Sequence, residues 1–344
     1  MSAMRSVCVA LFAAFALGNA APCAAAVRTY YIAADDVAWN FAPSGHDLIT
    51  DKPLPAVQPP QLGWTYHKAL YRAYTDATFR HIKTREPADA YLGLLGPVIH
   101  AEVGDTIVVV FKNNTRLHVS LHPEGVEYDK PSEGPIPPGG VHTYSWPVPE
   151  HSGPGPMEPS SILRIYSSHT DDVRDMNTGL VGPMIITRRG MARPDGSPKD
   201  VDAEFVTMFS EMDESQSRMV AANLAGVSTN PHHISASSAE FQNANQFFTI
   251  NGFVFGNMPM LTMARGQRVR WYLMTSMSDF DFHFPTWHGQ TVLYLGRRSN
   301  TLPLGPTDTK VADMVPDKPG VWIFNCDLDV HLDAGMIERF TVTP

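Results

Sequence analysis

The chain is short of cysteine. Of its 3 cysteines, Cys8 and Cys23 fall within the first 26 residues. Those residues read as a secretory leader, with Arg5 at a positive start, an apolar stretch from Val7 to Leu17, and Ala24-Ala25-Ala26 before Val27. Without the leader Cys326 stands alone, so an intramolecular disulfide is excluded, and a disulfide-stapled fold with it. The apolar stretch is too short for a stable bilayer anchor. The leader has no twin-arginine pair, and Cys23 has no leucine three residues before it, which argues against a lipid anchor. The expected location is outside the cytoplasm, periplasmic or secreted, with no membrane anchor. Basic side chains are also few: 26 Lys and Arg against 35 Asp and Glu leave a net charge of −9. Nucleic acid and anionic membranes are therefore poor partners. Sustained helical periodicity is missing as well, while 29 prolines and 25 glycines call for many turns and short strands.

A solitary thiol in an exported chain is exposed to oxidation unless something occupies it. Cys326 sits in Asn325-Cys326-Asp327, with His331 five residues on and Met336 five beyond that. A thiolate, an imidazole and a thioether on one loop form the closing segment of a type 1 copper site, because soft sulfur holds Cu(I) while imidazole suits both oxidation states. A second imidazole is available upstream, at His283 in Asp281-Phe282-His283-Phe284-Pro285-Thr286-Trp287-His288-Gly289. The bland alternative, a structural cysteine beside surface histidine and methionine, leaves the survival of the thiol unexplained.

Short β-branched runs predict strands at Ile107–Phe111, Val141–Val148, Met184–Thr187, Val269–Met274 and Ile337–Val342. The halves echo each other. Gly93-Leu94-Leu95-Gly96-Pro97 and the following Ala101-Glu102-Val103-Gly104-Asp105 have counterparts in Gly256-Asn257-Met258-Pro259 and Met263-Ala264-Arg265-Gly266-Gln267. This pattern predicts two antiparallel β-sandwiches, over residues 27–190 and 204–344, with a Pro- and Gly-broken linker at 191–203. Residues Glu214 to Gln246 are polar and lack alternation, and read as an excursion on the second half. His232-His233 within it reads as an exposed polar pair.

The chain resembles the two-domain multicopper oxidases, with a ceruloplasmin-like character, and it also resembles their relatives the copper nitrite reductases. Leu95-Gly96-Pro97, Leu121-His122-Pro123-Glu124-Gly125-Val126, Tyr166-Ser167-Ser168-His169, Gly179-Leu180-Val181-Gly182-Pro183 and the His283 and Cys326 segments carry the resemblance. It implies an all-β chain of two cupredoxin-like Greek-key sandwiches. It also implies a type 1 copper on His283, Cys326, His331 and Met336 in the second domain, and none in the first. The family holds a trinuclear copper cluster on four His-x-His pairs, and here every pair is broken. Glu124, Ser167, Thr286, Asn325 and Asp327 stand where the family has histidine.

His122, His169 and His288 survive, and by the family's geometry they converge on one cavity. That is the donor count of a single further copper, which nitrite reductases hold between subunits of a trimer. The resemblance therefore implies a homotrimer, a small-molecule substrate such as an oxyanion or an oxygen species, and an electron donor that includes small redox proteins among its candidates. Glu124 and Asp327 are expected beside that centre as proton donors or as ligands to a harder ion. A decayed cluster, its leftover imidazoles hydrogen-bonded by those carboxylates, is the competing reading. It would make the protein a non-catalytic blue-copper carrier or copper binder. A laccase is disfavoured, since four-electron reduction of dioxygen uses the missing cluster.

Overall fold

The computed structural model describes residues 25–128, 134–227, 235–276 and 281–344. His232 and His233 lie outside the described residues, as does the leader through residue 24. Four larger sheets form two sandwiches. In the first half one sheet runs Thr65–Ala73, Val27–Asn40, Thr106–Asn113, Val141–Pro147, and its partner runs Ile99–Glu102, Val181–Thr187, Ser161–Ser167, His122–Pro123. In the second half a sheet runs Gln246–Ile250, Ala203–Asp213, Val269–Thr275, Thr309–Met314, Val292–Tyr294, Arg297–Ser299. It faces Leu261–Ala264, Ile337–Thr343, Gly320–Cys326, Pro285–Trp287. The architecture is all-β, as the alternating runs predict. Each sheet nevertheless carries one parallel pairing among its antiparallel ones, such as Val27–Asn40 with Thr106–Asn113 and Ala203–Asp213 with Val269–Thr275. In each of these pairs the chain passes through the facing sheet between the two strands, and it re-enters its own sheet running in the same direction as its new neighbour.

Alternation explains most strands. In Thr106–Asn113 the residues Ile107, Val109 and Phe111 are buried and their neighbours are not. Val269–Thr275 is buried at every position, because it faces two things at once. Trp271 packs edge-on against Trp287 in its own core. On the other face Arg270 donates to the hydroxyls of Ser160 and Ser161, each at 2.8 Å, and the Tyr272 hydroxyl lies 2.7 Å from that of Ser161. The halves are thereby joined. One contiguous apolar cluster runs through both of them.

The described residues of the segment Glu214 to Gln246 include two short helices, Val220–Val227 and Ala239–Ala244. Ser238 caps the second by accepting the N–H of Phe241, whose ring is buried. Local capping and one buried aromatic suffice there, without a long amphipathic stripe. Glu214 and Lys68, both fully buried, form an ion pair between the halves, and Lys68 Nζ also donates to the Asn177 carbonyl at 2.8 Å.

Candidate metal centre

The second half ends its strand Gly320–Cys326 at the thiol, and Cys326 pairs in register with Pro285. The Phe284 amide N–H donates to Cys326 Sγ at 3.2 Å. One short helix, Asp329–Asp333, then carries His331 back so that its Nδ1 lies 3.5 Å from the sulfur. Gly335 closes the loop at φ +101°, where a Cβ would meet the Phe255 ring at 2.7 Å, so glycine is required there. The Cys326 N–H donates to the Met336 carbonyl at 3.1 Å, which brings Met336 home beside the strand end. His283 arrives from the other side, locked by a two-way amide exchange with Leu304 at 2.9 and 2.8 Å.

The ligand atoms of His283, Cys326 and His331 all lie within 4.8 Å of one another. These three residues and Met336 are 0% exposed. Phe248 stacks on the His331 ring at 4.6 Å between centroids. Burial pushes the Cys326 thiol up, but hydrogen bonds from His283, His331 and the Phe284 and Leu328 amides outweigh it and bring the thiol down to about 6. A thiolate with two imidazoles in a dry pocket is a donor set that suits copper. The amide at Phe284 and the ring of Phe248 carry no sequence signal of their own, since any residue supplies an amide and an aromatic reads as core.

The other expected residues divide between two places. His122 pairs in register with Ser167 at the sheet edge of the first half, and His169 lies two residues beyond Ser167. Glu124 Oε1 is 3.1 Å from His169 Nε2 and 3.9 Å from His122 Nε2. One ligand atom from each of these three residues falls within 4.8 Å of the others, and the two imidazole centroids are 4.1 Å apart. Tyr128 packs edge-on against His122 at 4.5 Å, and Asp172 Oδ1 lies 3.8 Å from His169 Nδ1. The His169 hydrogen bond, opposed by burial and aided by the charges of His122 and His169, holds the Glu124 carboxyl below its ordinary value of 4.5.

His288 and Asp327 are on the second half, both exposed, and within the chain they are not grouped with His122, Glu124 and His169. His288 Nε2 lies 2.8 Å from Asn325 Oδ1, and Asn325 Nδ2 donates to the Cys326 carbonyl at 2.9 Å. Thr286 is buried and its hydroxyl donates to the Phe284 carbonyl at 3.0 Å. The Asn325 contact is absent from any reading of spacing, because it spans two strands.

Two family models, each described as multicopper oxidase, match residues 91–190 and 228–344. The chain is 37% identical over 343 residues to ferroxidase HEPHL1 of Mus musculus, covering 92% of this chain and 29% of that protein. It is 36% identical over 345 residues to human ceruloplasmin, covering 92% of this chain and 32% of that protein. The chain thus spans about three-tenths of the length of the curated relatives it matches. Among solved structures, a copper nitrite reductase from Nitrosomonas europaea superposes with a TM-score of 0.61 at 15% identity, over 92% of this chain and 94% of that one. A multicopper oxidase does so with a TM-score of 0.60 at 16% identity, over 92% and 89%. These structural likenesses establish the fold.

Proposed function

Because the chain belongs to the multicopper oxidase family, we propose that it is an exported copper-dependent oxidoreductase whose second half holds a type 1 copper on His283, Cys326, His331 and Met336. The observation that carries this reading is the set of three buried donor atoms within 4.8 Å of one another, with the thiol lowered to about 6. Copper bound there would supply one-electron redox chemistry. The chain's own part is to exclude water from the site, to orient both imidazoles, and to hold the sulfur as thiolate through the Phe284 amide.

The electrons would come from a donor and pass to a second mononuclear centre built on His122 and His169 in the first half, where a small oxyanion or oxygen species is the substrate. A homotrimer closed head to tail would bring the His288 and Asp327 face of one chain onto the His122 face of the next. Asp327, exposed at that face, would then serve as a proton source. A nitrite-reductase-like arrangement is favoured over a laccase, because Glu124, Ser167, Thr286, Asn325 and Asp327 replace histidines of the cluster that dioxygen reduction uses. The second reading, a blue-copper carrier, draws support from the separation of His288 from His122 and His169 within the chain.

Copper analysis with electron paramagnetic resonance tests the proposal. An intensely coloured protein with a narrow-hyperfine Cu(II) signal is expected. A colourless copper-loaded protein would overturn the type 1 assignment. A coloured protein without a second metal under any loading condition would favour the carrier.

A further inference from the structure

The trinuclear copper cluster of the family does not fit the first half. Glu124 and Ser167 occupy histidine positions there, and a carboxylate and a hydroxyl are hard oxygen donors. What remains is nonetheless a coherent donor set. We propose that His122, Glu124 and His169 form a mononuclear site complete within one chain, with Glu124 as a ligand, for a divalent ion of the ferrous or manganous class.

Three observations carry this. The first is convergence: the three donor atoms lie within 4.8 Å of one another without any help from a second chain. Two imidazoles and one carboxylate with open positions are the set associated with non-haem ferrous sites, and carboxylate oxygen suits manganese as well. Room for further ligands exists, since the Glu124 side chain is 42% exposed and that of His169 is 28% exposed.

The second is preorganisation by the main chain. The Glu124 N–H donates to the Ile165 carbonyl at 2.8 Å. Gly125 turns the chain at φ +70°, where a Cβ would meet Arg164 at 2.9 Å. The His169 N–H donates to Ser120 Oγ at 2.9 Å. Ser167, opposite His122 in register, has a buried hydroxyl with no hydrogen-bond partner among the described residues. Asp172, near His169 Nδ1, is placed as the outer carboxylate that commonly orients a metal-binding imidazole.

The third concerns His288, the residue a three-imidazole centre would need from a neighbour. Asn325 Nδ2 donates to the Cys326 carbonyl, so its Oδ1 is the atom that faces His288 Nε2 at 2.8 Å. An amide oxygen only accepts. In this arrangement His288 Nε2 carries the proton and is committed to Asn325, which leaves only Nδ1 with a lone pair. The contribution of His288 is instead a hydrogen-bonded link from Cys326, through Asn325, to the surface of the second half.

This site deepens the two-centre reading above, and its test is independent of the blue copper. The copper-loaded full chain is titrated with Mn(II) alone, following loss of the free six-line resonance. Wild type should bind about one equivalent per chain by the donor count. Glu124→Gln should weaken Mn(II) at least ~10-fold, and His169→Gln should act alike, while His288→Ala should bind as wild type does. All variants should keep the visible colour and the far-ultraviolet circular dichroism. The proposal is overturned if wild type binds no Mn(II), or if His288→Ala loses the ion while Glu124→Gln keeps it. Mn(II) binding by a colourless protein would uphold this site and sink the type 1 assignment instead.

Discussion

The two halves use one loop frame with different donors on it. In the second half the Phe284 N–H donates to Cys326 Sγ at 3.2 Å, and in the first the Ser120 N–H donates to Ser168 Oγ at 3.0 Å. The Cys326 N–H meets the Met336 carbonyl at 3.1 Å, as the Ser168 N–H meets that of Leu180 at 3.2 Å. The Met336 N–H reaches the His331 carbonyl at 2.9 Å, as the Leu180 N–H reaches that of Asp175 at 3.1 Å. His283 exchanges amide bonds with Leu304, as Val119 does with Ile136. Val119, Ser168, Asp175 and Leu180 thus stand where the second half has His283, Cys326, His331 and Met336. The frame is held by main-chain hydrogen bonds and glycines, and it closes with or without metal ligands. In the first half the Ser168 hydroxyl donates to Asp175 at 2.6 Å, and Arg218 pairs with Asp175 at 2.7 Å. A charge-assisted hydrogen bond and a charge pair occupy the place that the proposed metal takes in the second half.

The largest effect should come from making the second half like the first. Cys326→Ser places the Ser168 hydroxyl in the proposed copper loop and should abolish the visible band completely, while far-ultraviolet circular dichroism stays unchanged because a serine Oγ can accept the Phe284 N–H as Ser168 Oγ accepts that of Ser120. Persistence of the band would break the comparison. Next in size is the joint between the halves. Lys68→Met leaves Glu214 buried without its partner, and breaking a buried pair costs ~3–5 kcal/mol, read as a lower denaturant midpoint. Burial already pushes the Glu214 carboxyl up, so protonation offsets part of that loss at acid pH. An unchanged midpoint would show that this ion pair does not hold the halves together.

A subtler copy is Met336→Leu, which imports Leu180. Copper should remain bound and coloured, and the reduction potential should rise, because removing the weak axial thioether disfavours Cu(II). Voltammetry on the copper-loaded protein decides it, and a fall in potential would contradict a Met336 ligand. The smallest effect is expected at the seam. Burial pushes the Asp200 carboxyl up, but the Ser160 hydroxyl and the Arg270 guanidinium outweigh it and leave it below its ordinary 3.8. A lowered carboxylate contributes stability that is present above the ordinary value and is lost as pH falls through the folded value. Asp200→Asn should therefore lower the melting temperature slightly at pH 6, and the gap should close as pH drops below about 3.8. A gap that widens on acidification would refute the pairing.

Much of this was legible beforehand. Ile107, Val109 and Phe111 alternate, and they form the inner face of Thr106–Asn113. The spacing of Cys326, His331 and Met336 is the signal behind the proposed copper loop, because a thiolate, an imidazole and a thioether have few other reasons to share one. The parallel pairings were not legible, since alternation records which face a residue takes and not which neighbour it joins. Nor were the Phe248 stack on His331 or the Asn325 bond to His288, because each depends on strands far apart in sequence.

By itself, then, the sequence determined the class of fold, the likeness of the two halves and the chemical types of the candidate donors, all of which are properties of residue type and local order. Only the tertiary structure decided which donors meet. Register across Ser161–Ser167 sets His122, Glu124 and His169 together. The pairing of Pro285–Trp287 with Phe324–Cys326 hands His288 to Asn325 instead. A donor set is defined within a few ångströms, and strand register fixes positions on that scale.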